Sequence, residues 1–185
     1  MEIKVVKIEE AGYESAMFGL SLNKNQDRTK MHDVAAVLSD KDMGHNKFLE
    51  SMYVWLDVRA PRYWWQDADT YRLSSKQSQS TNHTILRRPL GKEDFEDRTI
   101  LDDTLWYLNT LINEKNFLEL KKHLPEGFMQ RRCWCLSYKT LSNVIHQRQY
   151  HKLPHWQSFN SQIMAQVTYP EFLIKRLKDV GTRSK

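Results

Sequence analysis

Residues 50–59 alternate cleanly: Met52, Val54, Leu56 and Val58 fall on one side, and Tyr53, Trp55, Asp57 and Arg59 on the other. A period of two with one apolar side predicts a strand that buries a single face. Residues 128–136 alternate in the same way, and EIKVVKI at 2–8 reads as an edge strand. Helical spacing appears elsewhere. Met31, Val34, Ala35 and Leu38 predict a helix over 27–43, with Gly44 as its stop. Pro61 suits the first turn of a helix that carries Tyr63, Trp64 and Trp65 and ends near Thr70. The longest helical pattern covers 93–122, through Ile100, Leu101, Leu105, Leu108, Leu111, Ile112 and Leu118. It meets a stop signal at His123-Leu124-Pro125-Glu126-Gly127. Ser137 is the N-cap of a helix over 139–149. Shorter helices over 157–166 and 170–179 precede a frayed tail, GTRSK. Residues 74–84, SSKQSQSTNHT, are poor in apolar side chains and read equally well as a mobile surface loop. The order of elements predicts an α+β fold in a single domain over 1–185.

Composition narrows the class. A chain of 185 residues with 40% hydrophobic and 28% charged positions suits one soluble globular domain. Its apolar runs are too short to span a bilayer, and no segment has the order of a signal peptide, so the expected location is cytoplasmic. Cys133 and Cys135 form a lone C-x-C. Same-strand neighbours rarely bridge, and no second pair completes a zinc site, so both read as reduced, small apolar fillers. The net charge of +5 favours an anionic partner. The arginines (59, 62, 72, 87, 88, 131, 132 and 148) are scattered, which suits a phosphate pocket at least as well as a nucleic-acid track. Six tryptophans and eight tyrosines supply core, and some could stack on a flat ligand.

Most familiar chemistries find no support. The glycines are too dispersed for a P-loop or dinucleotide fingerprint, and neither H-E-x-x-H nor G-x-S-x-G occurs. His146, His151 and His155 lie five and four residues apart without a carboxylate or cysteine nearby in sequence, so no metal is predicted there. Glu93-Asp94 and Asp102-Asp103 suit the start of a helix, where they complement its dipole. The arginines carry more. Arg72 sits beside the hydroxyls of Ser74, Ser75, Ser78 and Ser80, Arg131 lies on an alternating strand, and Arg148 lies near the end of the next helix. Arginine grips phosphate bidentately and stacks on bases, so these side chains, if they converge, make a nucleotide monophosphate pocket. The alternative is a set of solvated surface arginines.

One stretch carries a resemblance. It runs from Gly44-His45 through Leu49-Glu50-Ser51 and the strand MYVWLDVRAP to TYRLSSKQSQSTN. It resembles the core of the flavin-dependent thymidylate synthases, or thymidylate-synthase-complementing proteins. That core has a His, Phe-Glu-His, a strand ending in Ala-Pro and then RHRxxSxNExSxR. Ser21 in FGLSL, Leu124-Pro125, Arg131, Trp134, Lys139-Thr140-Leu141, Arg148 and His155-Trp156 follow the family in order. The signature departs where Thr70 and Tyr71 replace an Arg and a His, Gln77-Ser78 replace Asn-Glu, and Asn82 replaces the final Arg.

The resemblance implies a small antiparallel sheet packed with helices, a homotetramer, and a site built between subunits. It implies a deoxypyrimidine nucleotide, deoxyuridine monophosphate (dUMP), held by Arg72, Ser80, Arg131 and Arg148. Ser21, His45, Glu50, Ser75 and Lys139 would line the side of an FAD cofactor. NADPH and methylenetetrahydrofolate would be co-substrates in a one-carbon transfer to the pyrimidine C5, which needs no protein nucleophile. Each lost charge-assisted contact at Thr70 and Tyr71 is worth roughly 1.5–3 kcal/mol, enough together to weaken flavin on the order of a hundredfold or more. Lys76, Lys47 and Lys139 are the cations placed to compensate. A short, divergent chain of this kind suits a phage-like source. Three readings follow: a divergent enzyme, slightly preferred; a non-catalytic relative that keeps the fold and binds a nucleotide; and a basic nucleic-acid-binding module built on Arg87, Arg88, Lys121 and Lys122. The third is disfavoured because these charges form no contiguous stripe.

Overall fold

The structure is a computed structural model that describes residues 3–23, 27–41 and 44–174. Its elements are β1 (Lys4–Ala11), α1 (Tyr13–Ser21), α2 (Met31–Ser39), β2 (Tyr53–Pro61), α3 (Arg62–Ala68), β3 (Ser74–Ser78), α4 (Thr81–Thr84), α5 (Asp102–Asn113), α6 (Phe117–His123), β4 (Met129–Ser137), α7 (Tyr138–Arg148) and α8 (His155–Met164). The four strands form one sheet in the order β1-β2-β4-β3, each neighbouring pair antiparallel. This is the predicted α+β class. No helix among the described residues is long and apolar enough to cross a membrane.

The alternation in β2 does what its period requires. Val54, Leu56 and Val58 are fully buried, and across the sheet Trp134 and Leu136 of β4 join them. Trp64, Trp65, Trp156 and Phe159, from α3 and α8, close over this face. The opposite face stays open, with Val6 at 40%, Ile8 at 57% and Tyr53 at 42% exposure. β1 is the predicted edge strand, and its outer edge is covered. Gln162 accepts from Val5 N and Gln166 from Lys7 N, both at 2.9 Å, while their amides donate to Ile3 and Val5 carbonyls. Those bonds satisfy backbone groups that an open edge leaves free. Gly12 joins β1 to α1 with φ 95°, and a Cβ there would lie 2.0 Å from the Ser51 carbonyl oxygen, so only glycine fits.

Two expectations need correction. The single helix over 93–122 is broken. Phe95 is extended and bridges Phe128, Asp97 and Arg98 take left-handed φ of 51° and 58°, and regular helix begins only at Asp102. Lys115, at φ 55°, ends α5, and Asn116 caps α6 by accepting from Glu119 N. Of the apolar side chains counted as one stripe, Ile100, Leu105, Leu108, Leu111 and Ile112 join a second, smaller core with Phe95, Leu120 and Phe128, while Leu101 and Leu118 are exposed. Asp102-Asp103 does begin a helix, whereas Glu93-Asp94 lies in a short 3-10 turn. The second correction concerns residues 74–84, which form β3 and the short α4, so the sheet has one strand more than the alternation announced. The Lys76 ammonium of β3 lies over the Trp134 ring at 5.0 Å, a cation–π contact in place of an apolar one.

Smaller shifts are at boundaries. The helix expected over 27–43 is a 3-10 turn at Arg28–Lys30 followed by α2, and α3 stops at Ala68. Ser137 caps α7 by accepting from Thr140 N, as expected. The helix expected over 157–166 is α8, which starts earlier. Of the helix expected over 170–179, Pro170–Phe172 is a 3-10 turn, and 175–179 with the GTRSK tail lie outside the described residues.

Candidate functional site

The predicted site residues gather at three places. The first is the C-terminal end of β3. Gln79 N donates to the Arg131 carbonyl at 2.9 Å, which lays the chain leading to Ser80 beside the start of β4. Ser80 is exposed at the N-cap position of α4. Arg131 is 65% exposed and forms a bidentate pair with Asp57, Nε to Oδ1 at 2.7 Å and Nη2 to Oδ2 at 2.5 Å. The pair holds the Asp57 carboxyl below the usual carboxylate range. A cavity of about 330 Å³ opens here, lined by Arg59, Gln79, Thr81, Arg88 and Arg131. It continues past Arg131 along the open sheet face, by Gln77, Ser78 and Cys133. Arg59 donates to the Glu93 carbonyl, and Arg88 pairs with Asp94 at 2.6 Å. Lys121 donates to the Thr81 hydroxyl at 3.1 Å, and burial followed by the nearby Arg62 pushes its ammonium pKa down. Sequence reasoning assigned Lys121 to a different reading and overlooked Asp57. An acid on the polar side of an alternating strand was the available signal for Asp57.

The second place is the covered side of the sheet, beneath β3 and the Thr70–Arg72 segment that leads into it. Arg72 is exposed and makes no hydrogen bond or ion pair among the described residues. Arg148 points inward. Its Nε donates to the Tyr71 hydroxyl at 2.9 Å, its Nη1 lies 3.8 Å from Asp67, and its guanidinium covers Trp156 at 5.0 Å and Tyr71 at 5.5 Å. Arg132 pairs with both Asp69 oxygens at 3.0 and 3.1 Å and lies over Trp65 at 4.5 Å. Lys76 completes the group, 3.8 Å from Asp69; burial lowers its pKa against the pull of that carboxylate. Within one chain, then, Arg72 and Arg148 do not meet Ser80 and Arg131.

The third place lies beyond α7. Lys139 donates to Asn46 at 2.6 Å, and the buried Asn46 amide donates to the Ser39 carbonyl. His45 is exposed and lines a cleft of about 580 Å³ with Ser15, Gly19, Asn23 and Lys47. Glu50 is exposed nearby, at the end of the 3-10 turn Lys47–Glu50. Ser21 is buried and spends its hydroxyl on the Phe18 carbonyl at 2.7 Å. Ser75 stands apart from these, on the open sheet face opposite Cys135. Asn46, which ties Lys139 to the His45 turn, was missed, since one asparagine in a loop carries no sequence signal.

Among the described residues, no group of three or more His, Cys, Asp or Glu could hold a metal ion. His155 is buried, with Nε2 2.5 Å from Glu96, while His151 lies 3.6 Å from Asp67. Cys133 and Cys135 are unpaired, half-buried thiols on the open face, and burial pushes Cys135 up.

Neither a protein-family model nor a curated protein sequence matches the chain. Solved structures do. The chain has the fold of a flavin-dependent thymidylate synthase. The flavin-dependent thymidylate synthase ThyX from Helicobacter pylori, complexed with FAD and dUMP, superposes with a TM-score of 0.78 over 95% of this chain and 100% of that one, at 15% identity. A second structure of Helicobacter pylori ThyX with FAD and dUMP gives 0.75 over 93% and 97%, at 14% identity.

FAD brings two phosphates, which need free cations or N–H groups. Around Thr70–Arg72, Lys76, Arg132 and Arg148 are each committed to Asp67 or Asp69. Of the cations there only Arg72 is uncommitted among the described residues; Lys139 is taken by Asn46, and Lys47 stands exposed in the separate His45 cleft. The donor set around Thr70–Arg72 does not fit a resident diphosphate.

Proposed function

We propose that the protein recognises deoxyuridine monophosphate, as a divergent relative of the flavin-dependent thymidylate synthases. The observation that carries this reading is the Arg131 groove on a ThyX scaffold. It sets a solvent-facing guanidinium and the Thr81 hydroxyl, itself held by Lys121, around one cavity, and Ser80 lies in the chain between the lining residues Gln79 and Thr81. A phosphate dianion would displace Asp57 from Arg131, an exchange that costs little for an exposed pair. Ser80 would position the nucleotide. Arg72, exposed just before β3, would reach it from a second copy of the chain in a homo-oligomer, whereas Arg148 is held inward by Tyr71 and Asp67. The activity such a complex serves is one-carbon transfer to the pyrimidine C5, with FAD, NADPH and methylenetetrahydrofolate supplied from solution.

A second reading is favoured by the self-paired cations at Thr70–Arg72: a non-catalytic relative that binds the nucleotide alone. The nucleic-acid reading draws less support, because Arg88, Lys121 and Lys122 are engaged with Asp94, Thr81 and Glu119.

Calorimetric titration with dUMP tests the proposal. Saturable binding that thymidine does not reproduce supports it, and the absence of heat across the millimolar range rejects it. Tritium release from C5-labelled dUMP, with all three co-substrates present, then separates the enzyme from the non-catalytic relative.

A further inference from the structure

We infer that Tyr71, Asp67 and Asp69 turn the Thr70–Arg72 end into a self-paired lattice that holds Arg148 closed, so that FAD is an exchangeable ligand of this protein and not a resident one. The inference rests on the scaffold assignment above but concerns different residues, on the covered side of the sheet, from those of the proposed nucleotide groove.

The lattice is continuous. Asp67 receives the Trp156 indole N–H at 3.4 Å and lies against Arg148 and His151. The Tyr71 hydroxyl accepts from Arg148 Nε and donates to Gln147 at 3.2 Å, and the Tyr71 carbonyl accepts from Lys76 Nζ at 3.2 Å. Asp69 holds Lys76 and Arg132 together. Tyr71 is thus the hub. It presents its hydroxyl as acceptor, its ring as a face for the guanidinium, and its carbonyl to the lysine. A histidine here could not offer a phenolic oxygen. The cations are also well shielded, with Lys76, Arg132 and Arg148 side chains 12%, 17% and 16% exposed. An incoming phosphate must break an existing pair to gain its own. The net gain is therefore far smaller than for a cation held ready and unpaired.

The test compares the wild-type chain with the variant Tyr71→Phe/Asp67→Asn, which removes both polar holds on Arg148 and keeps the ring. FAD is titrated by flavin fluorescence, and bound flavin is counted by absorbance after desalting. The wild type is expected to keep no flavin through desalting, and the released variant to bind FAD about tenfold more tightly or better. A wild type that retains close to one FAD per chain overturns the inference. So does a released variant with native circular dichroism that binds FAD no better. Should the double variant fail to fold, Tyr71→Phe alone makes the same comparison, with a gain of at least threefold expected and no gain counting against. A dUMP titration of the same wild-type sample keeps the two claims apart. Binding of dUMP by a protein that retains flavin refutes this inference only, and loss of dUMP binding in a flavin-free protein refutes the proposed function only.

Discussion

The two faces of the sheet beside β3 carry the same residue type in opposite states. On the open face, Arg131 stands 65% exposed with one carboxylate partner. On the covered side, Arg132 and Arg148 are less than a fifth exposed, and each lies between a carboxylate and an aromatic ring. Adjacent arginines on β4 thus serve different roles because the strand sends them to opposite faces. An arginine on the open face can exchange its partner for a ligand. One on the covered face has become part of the packing.

The comparison can be broken most severely in the core that packs on the covered face. Trp134 is fully buried and contacts Trp64, Trp65 and Phe159. Trp134→Ala should cost about 3–5 kcal/mol of stability, read as a lower denaturation midpoint, and abolish ligand binding with it. Arg131→Ala should separate the two faces. We expect dUMP affinity to fall roughly tenfold to a hundredfold with the thermal midpoint unchanged; unchanged affinity in a folded variant removes Arg131 from the site.

Arg132→Ala should do the reverse. It strips the cover from Trp65 and one partner from Asp69, and should lower stability by about 1–2 kcal/mol while leaving dUMP affinity alone. A large loss of affinity would mean that the lattice and the groove are coupled. The smallest effect concerns pH. Asp57 is held below its ordinary value of 3.8 by hydrogen bonds from Arg131. Asp94 is pushed up by burial but drawn lower overall by Arg88 and Gly91 N–H. Groups lowered by folding stabilise the native state fully above the unfolded value and lose that contribution as pH falls through the folded one. The groove end should therefore keep its pairs at neutral pH and shed them only below about 3.8. Asp94→Asn should flatten that acid limb of the stability curve, and an unaltered limb would assign it elsewhere.

Much of the scaffold was legible because it depends on local period. The alternation of Met52 to Val58 announced both the strand and its buried face, and Ser137 announced the start of a helix. The break in 93–122 was not legible. Its apolar residues keep helical spacing, and what interrupts them is tertiary: Phe95 pairing with Phe128 and Glu96 pinned to His155. β3 was hidden for the converse reason, since serine, lysine and glutamine show no apolar period, and its strand form depends on β4 lying beside it.

The candidate site divides along the same line. The sequence alone determined the α+β class, the buried stripes, the family resemblance and which residue types were present for phosphate recognition. Only the tertiary structure decided which of those residues are available. It placed Arg131 on an open face and Arg148 in a lattice, and it used the Ser21 hydroxyl and the Lys139 ammonium internally. The reason is physical. Residue type fixes what a side chain can bind, but partners distant in sequence, such as Asp57 for Arg131 and Tyr71 for Arg148, fix whether that capacity is already spent.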